Sequence, residues 1–205
     1  PGMPLTLNKL LGVAAALMAL LVAAVYAEVS RSTARAATES ADRLRSLGYE
    51  VTEQVGGTGI VAILKNGSGP TIMLRTELDA LPLEEKTGLS YASKVHAKDD
   101  AGHDVPVMHA CGHDLHMSSL FGTATIMAQT RDSWHGTLML IGQPAEETIS
   151  GARKMIEEGL LKRFPKPDVG VALHVSNEFP AGKIGIGHDV RDDEVGRPGV
   201  AAGLR

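Results

Sequence analysis

Three apolar runs, 71–74, 137–141 and 169–175, each deliver polar residues at or just beyond their carboxyl ends, and no other feature of the chain constrains the fold as tightly. Arg75, Glu77 and Asp79 follow the first run; Gln143, Glu146 and Glu147 follow the second; His174 lies at the far end of the third. Short apolar runs bounded by Gly, Pro and polar residues read as strands. In an open α/β sheet, ligands bind outside the carboxyl ends of the strands. The three runs therefore gather carboxylates and an imidazole at one edge of a sheet.

The segments around these runs supply helices. From Ser30 to Leu47, the residues Ala34, Ala37, Ala41, Leu44 and Leu47 recur at steps of three and four among Arg, Glu and Asp. That is one face of an amphipathic helix, which Gly48 ends. Two β-type runs follow at 49–55 and 60–64, and Asn66-Gly67 makes a tight turn before the run at 71–74. Residues 81–106 are rich in charge, Gly and Pro and read as loop with room for a short hairpin; their His96 and His103 are expected to be solvated. Asp114 is placed to cap a helix to Gln129 whose Leu115, Ser119, Gly122 and Ile126 form the packed face. Residues 151–158 read as a further helix closed by Gly159. Strands alternating with helices predict an α/β fold: a mixed, largely parallel sheet with helices on both faces.

Composition removes several function classes. A formal charge of -4 with 3% aromatic residues leaves neither a basic field for phosphates nor rings for stacking bases, so no nucleic-acid partner is expected. The single cysteine, Cys111, cannot close a bridge within the chain. Lys9 precedes an uninterrupted apolar run from Leu10 to Ala27, with small side chains at Val25 and Ala27 before Glu28. This is the layout of a signal peptide, residues 1–27, cleaved after Ala27; the run is also near the lower limit for an uncleaved membrane anchor. Both readings predict an exported protein, periplasmic or extracellular, in whose oxidising surroundings a bound metal would keep Cys111 reduced.

The segment His109-Ala110-Cys111-Gly112-His113-Asp114 adds a thiol and imidazoles just before a helix N-terminus. Carboxylate, imidazole and thiolate together are the ligand set of a divalent transition-metal site. Adjacent Glu146 and Glu147 suggest a division of labour, in which one binds metal and its neighbour takes a proton from water. Two metals a few ångström apart would clamp both the attacking oxygen and the carbonyl oxygen of an amide. No H-E-x-x-H motif is present, which argues against a single-zinc protease of that type.

The residues RTELDALP (75–82), HACGHD (109–114), QPAEE (143–147) and Leu173-His174, in this order, resemble the amidohydrolase branch of the M20 metallopeptidases. That branch includes hippurate hydrolases, N-acyl-amino-acid amidohydrolases and auxin-conjugate hydrolases, and the resemblance covers roughly residues 30 to 187. It implies two divalent metal ions (Zn, Mn, Co or Ni) on Cys111, His113, Glu147 and His174, with Glu146 as general base and Asp79 as a supporting carboxylate. The implied reaction is hydrolysis of an N-acyl amino acid or small peptide by a metal-bridged hydroxide. His109 and His116 are expected to support the ligands or to pack, and Asp114 to hold His113 or cap its helix.

Residues 28–187 are thus expected to form the N-terminal part of the catalytic domain, while 188–205, with Arg191, Asp192, Asp193 and Glu194, depart from the family pattern. Full-length members carry a dimerising satellite domain and a returning catalytic half with one more metal-binding histidine. Both are expected to be absent here, as in a truncated or frame-shifted reading. Two other readings stay open at this level: a non-catalytic remnant that binds metal or a partner, and an amidase with Cys111 as nucleophile.

Overall fold

The computed structural model describes residues 33–98, 103–180 and 182–185. The expected signal peptide or anchor at 1–27 and the atypical tail at 188–205 lie outside the described residues. The chain divides into two compact units, Pro1–Leu173 and His174–Arg205.

In the first unit, helix α1 occupies 33–46 and is followed by strands β1 (Glu50–Val55), β2 (Gly59–Asn66) and β3 (Thr71–Glu77). A small hairpin, β4 (His96–Lys98) and β5 (Asp104–Pro106), precedes helix α2 (His113–Gln129) and strand β6 (Gly136–Gln143). Helices α3 (Gly151–Glu157) and α4 (Leu160–Arg163) lead to strand β7 (Val169–Ala172). The five-stranded sheet has the order β1-β2-β6-β3-β7. β1 and β2 pair antiparallel, as do β2 and β6, whereas β6, β3 and β7 run parallel. The mixed sheet of the sequence reading is therefore present, and its parallel half holds the three strands that carry the polar residues.

Alternation along β2 and β6 splits the core between the two faces. Ile60, Ala62, Leu64, Leu138 and Leu140 pack with Ala37, Ala41 and Leu44 of α1 and with Leu120 and Ala124 of α2. Val61, Ile63, Met139 and Ile141 face the other way, onto Met155 of α3 and Leu160 of α4. Helices thus cover both faces, as the strand-helix alternation predicts.

Three expectations need correction. β3 and β6 do not stop at Leu74 and Ile141 but run on to Glu77 and Gln143, which pair in register. The polar side chains do not break the ladder because they bond one another: Arg75 Nε donates to Gln143 Oε1 at 2.9 Å, and Arg75 pairs with Glu77. β7 ends at Ala172, where its pairing with β3 at Arg75 ends, so Leu173 and His174 lie beyond the strand. Helix α2 is rotated relative to the expected packing: Leu115, Ser119, Gly122 and Ile126 are exposed, and His113, His116, Leu120 and Ala124 are buried. Two histidines with polar partners inside outweigh the apolar periodicity on the opposite side.

In the second unit the described residues form turns: Glu178 N donates to Ser176 Oγ at 3.1 Å, and Lys183 N to the Pro180 carbonyl at 3.1 Å.

Candidate metal centre

The parallel pairing of β3 with β6 sets Glu77 beside Gln143, and the ladder is prolonged by Leu78 N donating to the Gln143 carbonyl at 2.9 Å. The chain leaves β3 through buried Leu78, Asp79 and Ala80, and leaves β6 into the loop that carries Glu146 and Glu147. The third contribution arrives from α2. Gly112, at φ 80°, turns the chain in a left-handed conformation that glycine tolerates at no steric cost, so the helix begins at His113 with the ring buried beneath it. Asp114 is consequently a first-turn acid, favoured by the helix dipole, and not the N-cap. It does not hold His113 either: that role falls to Asp79.

Asp79 organises the cluster through two atoms that make three hydrogen bonds. Its carbonyl oxygen takes His113 Nδ1 at 2.8 Å and His109 Nδ1 at 3.1 Å. Its Oδ2 accepts the backbone N–H of Glu147 at 2.9 Å, tying the second loop to the first. Because a carbonyl oxygen can only accept, His113 Nδ1 carries the proton, and in the neutral ring Nε2 presents its lone pair. Nε2 faces Glu146 Oε2 at 3.6 Å and Glu147 Oε1 at 3.8 Å. These separations exceed a hydrogen bond, yet two atoms ligating one tetrahedral ion at about 2.1 Å would sit about 3.4 Å apart.

Burial opposes charge on His113, but the Asp79 side chain and carbonyl, with Glu77 beyond them, outweigh it and hold its pKa above the usual histidine value. For Asp79 the order is the same: burial raises the carboxyl, but His113 and the Glu147 N–H bring it below the usual range. Burial lowers the pKa of His109, with Asp114 opposing. Burial pushes the half-buried Cys111 thiol up, and Glu147 and Glu146 push it further. A thiol surrounded by carboxylates is the opposite of an activated nucleophile, which disfavours the cysteine-amidase reading.

The donor atoms suit a cation. Asp79 Oδ1, 3.5 Å from His113 Nδ1, and Glu147 Oε1 are buried without a hydrogen bond among the described residues, an arrangement that costs free energy unless a positive group lies against it. His113, Glu146 and Glu147 place ligand atoms within 4.8 Å of one another, and so do Glu77, His113 and His116. Asp79, Cys111, His113, Glu146 and Glu147 all belong to the first unit. His174 is the first residue of the second unit, exposed, with Nδ1 2.7 Å from the Val175 carbonyl oxygen.

Beneath His113 lies a second polar cluster that sequence reasoning did not assemble. Glu77, completely buried, bonds Arg75 with one oxygen and His116 Nδ1 with the other at 2.9 Å. The signal available for it was the three-residue step from His113 to His116, which puts both rings on one face of a helix.

A family model for peptidase family M20/M25/M40 matches residues 73–195. The chain is 37% identical over 162 residues to N-acetyl-L-cysteine deacetylase of Bacillus subtilis, covering 78% of this chain and 36% of that protein. It is 47% identical over 125 residues to hippurate hydrolase of Campylobacter jejuni, covering 60% of this chain and 30% of that one. Its fold matches that of the Bacillus subtilis YXEP protein, a dinuclear metal binding peptidase from the M20 family, with a TM-score of 0.62 and 36% identity over 73% of this chain and 39% of that one. The chain therefore spans between 30% and 39% of the length of these relatives. The four motifs, the mixed sheet and the matched 73–195 segment agree: the chain belongs to peptidase family M20/M25/M40.

Proposed function

We propose that this chain carries metal-binding and proton-transfer residues of a metal-dependent amidohydrolase that cleaves N-acyl amino acids or small peptides. The observation that carries this reading is His113 Nε2, aimed by the Asp79 carbonyl at Glu146 and Glu147. Cys111, His113 and Glu147, all of the first unit, would hold divalent metal, with Zn, Mn, Co and Ni as the candidates suited to this mixed donor set. When bound, the metals supply the charge that acidifies water and stabilises the developing oxyanion.

The chain's own residues divide the remaining work. Glu147 is the more buried of the adjacent carboxylates, and its backbone is fixed by Asp79, which suits a ligand. Glu146, at 34% side-chain exposure against 20% for Glu147, keeps the freedom that a proton carrier needs. It accepts a proton as water oxygen adds to the acyl carbon, then returns that proton to the leaving nitrogen as the carbon–nitrogen bond breaks. The products are a carboxylic acid and a free amino group. The names of the deacetylase and hippurate hydrolase relatives support the N-acyl substrate class.

In the zinc- or manganese-loaded protein, hippurate should raise the thermal midpoint and glycine should not. An equal response to both contradicts the substrate class. Glu146→Gln should retain metal and release no benzoate from hippurate under conditions where the unaltered protein does; full turnover by the variant removes Glu146 from its role.

A further inference from the structure

Glu146 and Glu147 are carried not by a helix or strand but by the irregular loop 144–150 between β6 and α3. Two of its residues adopt left-handed backbone conformations without being glycine: Ala145 at φ 50° and Ile149 at φ 55°, one on each side of the carboxylates. For a β-branched residue this is a costly conformation. Burial does not compensate it, because Ile149 is 90% exposed.

What holds the loop in this shape is a dense closure. The Ala145 carbonyl accepts Ser150 N at 3.2 Å, Gly151 N at 3.1 Å and Thr148 Oγ1 at 3.1 Å. Ile149 N donates to the Glu146 carbonyl at 2.7 Å, and the hydroxyls of Thr148 and Ser150 lie 2.8 Å apart. At the base, Gly151 packs directly onto Pro144: a Cβ there would lie 1.5 Å from the Pro144 carbonyl oxygen and 2.6 Å from its carbon. Both atoms are backbone, so no side-chain rotation could make room. Asp79 Oδ2 then anchors the whole loop through Glu147 N.

We propose that loop 144–150, closed by the first residue of α3, is a strained latch that presets the two carboxylates opposite His113, with Gly151 and Thr148 as its positioning residues. Two adjacent carboxylates repel, and an open loop would let them separate into water. The closure holds them together before any cation arrives, so the ordering cost is met in folding and not in binding. The inference rests on the metal-site reading for what the latch serves; the latch itself is a property of the metal-free fold.

Amide hydrogen exchange on the metal-free chain tests it, with Thr148→Val as the main variant because it removes one donor while leaving the two backbone donors to Ala145. Exchange at Glu147, Ser150 and Gly151 should accelerate at least about tenfold, the loss expected for the Thr148–Ala145 hydrogen bond alone, while amides 138–141 of β6 stay protected. Thr148→Ser, which keeps the hydroxyl, should restore protection. Gly151→Ala should produce the same local loss more strongly, and if that variant does not fold the threonine pair still decides. Unchanged exchange at Glu147 in Thr148→Val overturns the latch. Cobalt(II) titration of both proteins, read by visible absorption, separates the two ideas. Lost protection with cobalt bound by neither protein keeps the latch and removes the metal reading. Intact protection with identical cobalt spectra removes the latch and keeps the metal reading.

Discussion

Two polar clusters share helix α2 and the end of β3, yet they are built on opposite plans. The inner one, Arg75–Glu77–His116 with Gln143, sits on regular strand and helix, and both Glu77 oxygens have partners. The outer one, Asp79–His113–Glu146–Glu147, sits partly on a strained loop and, among the described residues, leaves two buried carboxylate oxygens without hydrogen bonds. A satisfied buried network holds a fold together, whereas an incomplete one of similar charge is the kind the proposed metal would complete. Neighbouring acids and imidazoles therefore differ in role according to whether their partners are supplied by the chain.

The largest expected effect comes from breaking the inner cluster. Glu77→Ala leaves Arg75 and His116 without their buried carboxylate and should cost about 3–5 kcal/mol in metal-free urea unfolding. Glu147→Ala, by contrast, removes an unsatisfied oxygen and should leave metal-free stability nearly unchanged. A comparable loss in both variants would erase the distinction between the clusters.

Next in size is the response to metal. Zinc at about 100 times its dissociation constant should stabilise the chain by about 2.7 kcal/mol, and this gain should disappear in Glu147→Ala. Persistence of the gain in the variant would move the ion elsewhere.

The pH dependence of the metal-free chain is a smaller effect with a definite sign. Asp79 is lowered on folding, so its contribution is present above its unfolded pKa of about 3.9 and is lost as pH falls through the folded value. His113 is raised, so its contribution is full below about pH 6.5 and is lost as pH rises through the folded value. The pair therefore stabilises most between about pH 4 and about pH 6.5. Asp79→Asn should flatten both limbs in a pH series of unfolding midpoints; unaltered limbs would show that other groups set them. The smallest effect is at the latch, where Ile149→Gly should change stability by about 1 kcal/mol or less, because relief of the left-handed strain is offset by a more flexible unfolded chain.

Much of this fold could be read from the residues. The β2, β3 and β6 runs are apolar and long enough to mark the sheet, and the strand-helix alternation places helices on both sides. Strand ends were harder to read, because Arg75, Glu77 and Gln143 look like loop residues until their mutual bonds are known. The rotation of α2 was illegible for a related reason: a hydropathy pattern counts His113 and His116 as polar, although Asp79 and Glu77 make their burial favourable. At the candidate centre, the motifs singled out Asp79, Cys111, His113, Glu146 and Glu147, but the link from Asp79 to Glu147 is long-range and leaves no mark on sequence spacing. Thr148 and Gly151 carried no local signal, since a glycine before a helical run gives no hint that it packs onto a carbonyl seven residues earlier.

The most direct measurement is metal content per chain by elemental mass spectrometry, after purification with zinc, for the unaltered protein beside Glu147→Ala. Stoichiometric metal that is lost in the variant is the predicted result. A folded protein without stoichiometric metal, or equal metal in both, would contradict the assignment of the outer cluster as the metal centre.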